Sequence, residues 1–129
     1  MEKTRDTVLK VDNLKVHFKG KLETVYAVNG ISFHVDKSET LGIVGESGCG
    51  KSVSTMSVLG LVPGRGKVYE GTADFKGRDL LKLSRKEMDA VRGDEIGIVF
   101  QDPIVSFNPV YTIGNQLMEP LLTHQKMNK

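Results

Sequence analysis

The sequence predicts an α/β protein in which an antiparallel β element precedes a strand–loop–helix unit. Three observations carry that prediction. Residues 8–36 alternate apolar and polar side chains with the two-residue period of half-buried strands. Two short apolar runs, Thr40–Val44 and Ile96–Phe100, have the composition of strands covered on both faces. A glycine-rich loop, Gly45-Glu46-Ser47-Gly48-Cys49-Gly50-Lys51-Ser52, follows the first run and opens a helical pattern.

The elements follow in chain order. In Val8–Phe18 the apolar positions are Leu9 and Val11, then Leu14, Val16 and Phe18, with a phase break at Asp12-Asn13. That pattern reads as strand, turn or bulge, strand. Lys19–Thr24 is an exposed hairpin connection. Ile31, Phe33 and Val35 then alternate with Ser32 and His34, so the β element has one wet face. After the glycine-rich loop, Lys51–Leu61 carries Val53, Met56, Val58, Leu59 and Leu61, a helix ended by Pro63-Gly64. Val68–Phe75 is a further strand. Ser84 with Glu87 three residues on forms a capping box for a helix that turns Met88 and Val91 inward and stops at Gly93. Thr112–Lys126 reads as a helix interrupted or restarted at Pro120.

Composition bounds the function. The chain has 129 residues, the size of one small domain, and no internal repeat. Its 18 basic and 16 acidic residues give a net charge of +2, too balanced to draw in nucleic acid or an anionic membrane by long-range electrostatics. Cys49 is the sole cysteine, so no intrachain disulfide forms and nothing argues for an oxidising compartment. No window approaches the roughly 18 apolar residues of a membrane span. The charged start, Met1–Asp6, lacks the apolar core of a signal peptide. The expectation is a cytoplasmic location, compatible with docking onto a membrane protein.

The pattern Gly45-x-x-x-x-Gly50-Lys51-Ser52 is a P-loop, with an apolar run before it and a helix after it. At ordinary residue frequencies the pattern arises by chance about 0.005 times in a chain this long. The backbone from Gly45 through Glu46, Ser47, Gly48, Cys49 and Gly50 must curl so that its N–H groups converge on one centre. Glycines permit the dihedrals and the close approach of phosphate oxygens. The helix starting near Lys51 adds its free N–H groups and partial positive end. Lys51 supplies a full charge to the β- and γ-phosphates, Ser52 a hydroxyl oxygen to Mg²⁺, and Val53 an N–H near the α-phosphate. The expected ligand is ATP with magnesium. Cys49 is read as a small residue that fits a tight loop; an oxidation-sensitive thiol is the competing reading.

The residues from Leu41 to Ser52 resemble the nucleotide-binding subunit of an ABC transporter. Ile98-Val99-Phe100-Gln101-Asp102-Pro103, followed by Ser106-Phe107-Asn108-Pro109, is similar to the Q-loop region of the oligopeptide/dipeptide (and nickel) importer branch. Phe75–Leu81, with Leu83, Ser84, Met88 and Arg92-Gly93, resembles that branch too. The resemblance implies a P-loop NTPase-type ABC ATPase core with an N-terminal antiparallel β subdomain, truncated at the start of the helical subdomain. It divides residues 1–129 into the β element (about 8–36), the P-loop unit (40–62), the Q-loop strand (94–103) and the start of the helical subdomain (104–129).

The resemblance also implies roles. Lys51 and Gln101 serve catalysis, and Gln101 joins Ser52 at Mg²⁺ and senses a transmembrane partner. An aromatic residue of the β element stacks on adenine, with Phe18 and Tyr26 as candidates. Transmembrane permease subunits and a second ATP-binding subunit, homo- or heterodimeric, are the implied partners. A solute-binding protein is involved indirectly, nucleic acid is not, and the location is the inner face of the cell membrane. Leu117 and Met118 are read as core.

Departures narrow this expectation. Ser38 stands before Glu39 where the family usually has glycine, which alters a turn. The Leu-Ser-Gly-Gly-Gln signature, the Walker B strand and the switch histidine are absent from these 129 residues. His17, His34 and His124 are read as surface or edge positions. The chain is thus expected to be the N-terminal part of a longer ATPase that powers import of oligopeptides, dipeptides or related solutes. Weak nucleotide binding and negligible hydrolysis are expected of these residues alone, with marginal stability or an association that covers an exposed sheet edge. A stand-alone P-loop binding or regulatory module is the alternative. A GTPase would carry an Asn-Lys-x-Asp motif, which is missing, and no lid or acceptor site marks a small kinase.

Overall fold

A computed structural model describes residues 6–101 and 107–124. It divides into two compact units, Met1–Leu83 and Ser84–Lys129.

The first unit is built on four antiparallel strands in the order β2-β1-β3-β4. They span Thr7–Lys19 (β1), Thr24–Asp36 (β2), Gly66–Phe75 (β3) and Arg78–Asp79 (β4). The connection after Lys19 is the expected hairpin, closed by the Gly20 N–H donating to the Glu23 carbonyl at 2.8 Å. The phase break at Asp12-Asn13 is a bulge. Pairing with β2 shifts between Val11 and Leu14, and pairing with β3 shifts between Asp12 and Lys15. Asn13 sits there at φ 48°, and its amide side chain donates to Glu70 at 2.6 Å. The bulge restores the phase, so Val11, Leu14 and Val16 are all buried, with Val28, Ala73 and Phe75.

Helix α1 spans Lys51–Val58, shorter than the expected Lys51–Leu61. The stop is Gly60, at φ 63°, and not Pro63-Gly64. The Gly60 N–H donates to the Ser57 carbonyl at 3.0 Å and the Leu61 N–H to the Met56 carbonyl at 2.9 Å. That is a Schellman ending, which satisfies carbonyls the helix would leave orphaned. Ser54 and Ser57 are buried because each hydroxyl donates one turn back, Ser54 to the Gly50 carbonyl at 2.8 Å.

A short 3-10 helix, Leu80–Lys82, closes this unit. Its cap, Asp79, accepts from the Ala73 N–H at 3.1 Å and the Leu81 N–H at 3.2 Å, and pairs with Lys82 at 3.1 Å. Burial pushes the Asp79 carboxyl up, but those hydrogen bonds more than offset it and hold the group below its ordinary value.

The two apolar runs correct the sequence reading. Neither Thr40–Val44 nor Ile96–Phe100 is a strand. Val44 is 96% exposed and Val99 94%. A strand exists only through a partner ladder, and all named strands among the described residues pair antiparallel with one another. Only Ile96 makes a bridge, an isolated parallel one to Arg92.

In the second unit, helix α2 spans Arg85–Val91 with the expected capping box at Ser84 and Glu87. The Ser84 hydroxyl and N–H both donate to the Glu87 carboxylate, holding it below its usual value. Met88 and Val91 are buried as read from the sequence, and the chain turns at Gly93, φ 82°. Helix α3 spans Ile113–His124 and continues through Pro120, against the expected interruption. The expected residues Gln125 and Lys126 lie outside the described residues. The proline forfeits one helical hydrogen bond without ending the helix. No residue of α3 is buried, so Leu117 and Met118, read as core, are exposed. His34 is exposed as expected, whereas His17 and His124 are half-buried.

Candidate functional site

The site begins at the turn after β2. Ser38 adopts φ 59°, the left-handed region that glycine takes without strain. The turn is held by the Glu39 N–H donating to the Asp36 carbonyl at 3.1 Å and the Asp36 N–H donating to the Glu39 carboxylate at 2.7 Å.

The P-loop then curls. Gly48 lies at φ 80° and Gly50 at φ 93°. Gly50 is the N-cap of α1 and carries no side-chain cap, so the first-turn N–H groups are left for an external acceptor. The loop is seated on the sheet: a Cβ at Gly50 would lie 2.5 Å from the Ala27 carbonyl oxygen of β2. At Gly45 a Cβ would lie 2.7 Å from Cys49 Sγ, so the loop closes on itself across the two residues.

Lys51 occupies the middle of this curl. Its Nζ donates to the Gly45 carbonyl at 2.6 Å and to the Glu46 carbonyl, and lies 3.4 Å from Cys49 Sγ. One positive charge is therefore held against the loop backbone by neutral acceptors alone. An anion entering the curl meets that charge and the α1 N-terminus together. Glu46, Ser47 and Ser52 are exposed, and Val53 is half-buried on the first turn of α1.

The aromatic candidates separate. Val16 pairs with Val28, whereas His17 pairs with Tyr26, so Ala27 is an extra residue in β2. Tyr26 consequently meets His17, at 4.3 Å between ring centroids, while Gly50 stands against Val28. Alternation along β1 puts Phe18 on the face of Val16. The Phe18 ring packs beside Gly66, where a Cβ would come within 2.6 Å of it. The dependence of Phe18 on Gly66, and of the loop on Ala27, escaped the sequence reading; the glycine of Pro63-Gly64-Arg65-Gly66 was the available signal.

Gln101 is exposed and belongs to the second unit. Asp102, Pro103 and Ser106, which carried part of the Q-loop resemblance, lie outside the described residues. Among the described residues no group of three or more His, Cys, Asp and Glu is placed to hold a metal ion, and no helix is long and apolar enough to cross a membrane.

A glycine-rich curl holding a lysine at a helix N-terminus, beside an antiparallel sheet, defines a P-loop nucleotide-binding class. A family model described as ABC transporter matches residues 28–129, and the chain belongs to that family. It is 51% identical over 96% of its length to the dipeptide transport ATP-binding protein DppD of Bacillus subtilis (strain 168), covering 37% of that protein. It is 47% identical to the oligopeptide transport ATP-binding protein OppD of the same organism, over 95% of this chain and 34% of the relative. The DppD of Escherichia coli (strain K12) is 45% identical, again over 95% and 37%. The chain thus spans a little over a third of the length of these relatives. A solved ATP-binding cassette, MJ0796, in a dimeric post-hydrolysis state with ADP and Pi, matches at TM-score 0.80 and 26% identity, over 94% of this chain and 50% of that one. The expected ABC ATPase fold with its antiparallel β element therefore holds.

Proposed function

We propose that this chain supplies the phosphate-binding half of an ATP site in the ATP-binding subunit of a dipeptide or oligopeptide importer. The observation that carries the ATP reading is the Lys51 ammonium held inside the P-loop at the start of α1. The relatives named for dipeptide and oligopeptide transport support the importer branch.

The residues suit the ligand. Phosphate oxygens need convergent N–H donors and room, and Gly48 and Gly50 take the left-handed dihedrals that such a curl requires and other residues resist. Lys51 exchanges neutral carbonyl acceptors for β- and γ-phosphate oxygens, a stronger charge-assisted contact. Mg²⁺ binds largely through substrate phosphates and water, and the Ser52 hydroxyl beside the curl is the protein ligand proposed for it, with Gln101 assigned the same role by the family resemblance alone. The ion neutralises phosphate charge when bound. Phe18 is the favoured adenine contact, because it shares the face of Val16, whereas Tyr26 is turned toward His17.

The proposed setting is the inner face of the cell membrane, with permease subunits and a second ATP-binding subunit as partners. The test is ATP binding by the gene product that carries this chain, comparing wild type with Lys51→Ala and Gln101→Ala. Loss of a charge-assisted contact worth about 1.5–3 kcal/mol gives roughly a 10- to 150-fold weaker affinity for Lys51→Ala. Gln101→Ala is expected to lower hydrolysis with little change in affinity. Undiminished ATP affinity in Lys51→Ala would overturn the reading.

A further inference from the structure

A cleft lies on β1, β2 and β3, and no residue of the P-loop lines it. It measures about 830 Å³, within the range of small-molecule sites. Its aromatic lining is made by two irregularities that flank β1. One is Ala27, the extra residue in β2. In β3, Val16 pairs with Val68 and Lys15 with Glu70, so Tyr69 is an extra residue too. Together these insertions gather Tyr26 and Tyr69 onto His17. Tyr26 meets the imidazole edge-on at 4.3 Å and 75°, and Tyr69 stacks on it at 4.8 Å and 19°. Both tyrosines stay exposed, at 63% and 71%.

The charged lining has one sign. Lys19, Arg65 and Lys67 line the cleft and no Asp or Glu does. Elsewhere in this unit Lys15 pairs with Glu70 at 2.7 Å and Lys82 with Asp79 at 3.1 Å. The three cleft cations have no such partner among the described residues. Three unneutralised cations around a stack of exposed rings favour a ligand that is itself flat and negative, because it gains from stacking and from charge at once.

We infer that this cleft is a binding site for a small aromatic anion, a flat ring bearing phosphate or carboxylate, separate from the P-loop. The ring stacks against Tyr69 and Tyr26, and the anionic group is met by Arg65, Lys67 and Lys19.

The test is a titration of the chain followed by backbone and aromatic NMR shifts, with phenyl phosphate and benzoate as probes. Inorganic phosphate and phenol are the single-feature controls. We expect saturable shifts at His17, Tyr26, Lys67 and Tyr69, with either control binding about tenfold or more weakly than the better aromatic anion. Preference between phenyl phosphate and benzoate identifies the anionic group. Tyr69→Ala and Arg65→Glu alter exposed side chains, and each is expected to weaken that probe by roughly tenfold while ATP-induced shifts in Gly48–Ser52 persist. The proposal is overturned if neither aromatic anion shifts these residues, if inorganic phosphate alone does so equally well, or if folded Tyr69→Ala and Arg65→Glu both bind like wild type. Loss of the cleft shifts in Lys51→Ala would also overturn it, by assigning them to the P-loop.

Discussion

Gly50 meets two constraints at once, a left-handed backbone and a carbonyl where its Cβ would be. Gly50→Ala adds a backbone clash with Ala27 to a strain of about 1–3 kcal/mol. Gly48, at a similar φ, faces open space, so Gly48→Ala should incur only strain, about 1–2 kcal/mol. Urea midpoints are expected to fall further for Gly50→Ala than for Gly48→Ala; equal losses would mean that the Ala27 carbonyl sets no limit at Gly50. Ser38 is the reverse case. Ser38→Gly relieves a left-handed non-glycine residue and is expected to raise stability by about 1 kcal/mol. At Asp79 the folded carboxyl titrates below its unfolded value, so its stabilising contribution is complete above the unfolded value. That contribution is lost as pH falls through the folded one. The acid limb of a stability–pH profile should therefore flatten in Asp79→Asn.

Pro120 tests α3 as an element. The helix runs through it at the loss of one hydrogen bond, so Pro120→Ala is expected to raise helix content and to favour α3 by up to about 3 kcal/mol. Unchanged helicity by circular dichroism would mean that α3 is set by something other than its own backbone. What was legible in the sequence was whatever local chemistry decides. The β1–β2 hairpin and the capping box at Ser84 depend on nearby residues, and the bulge at Asn13, though held by Glu70 of β3, shows as a local break in alternation. The P-loop was legible for the same reason. Thr40–Val44 and Ile96–Phe100 were misread because an apolar run reports a wish to be covered, not the presence of a partner strand. The meeting of Gly50 with Ala27, and of Tyr69 with His17, joins segments far apart in sequence, with no pattern to announce it.

At the scale of the molecule, exposure of Leu41, Ile43, Val44, Ile98, Val99 and Phe100 leaves apolar segments in water. The chain alone is expected to associate, with an unfolding midpoint that rises with protein concentration. A cooperative, concentration-independent urea transition with substantial stability would count against that. The Lys51-centred curl is proposed as a triphosphate site. Its most direct test is an ATP–Mg²⁺ titration read at the backbone amides of Gly48, Cys49, Gly50, Lys51 and Ser52. We expect saturable shifts at these amides in the wild type, weakened at least about tenfold in Lys51→Ala. Amides of the loop that stay silent at saturating ATP, or that respond equally in Lys51→Ala, would contradict it.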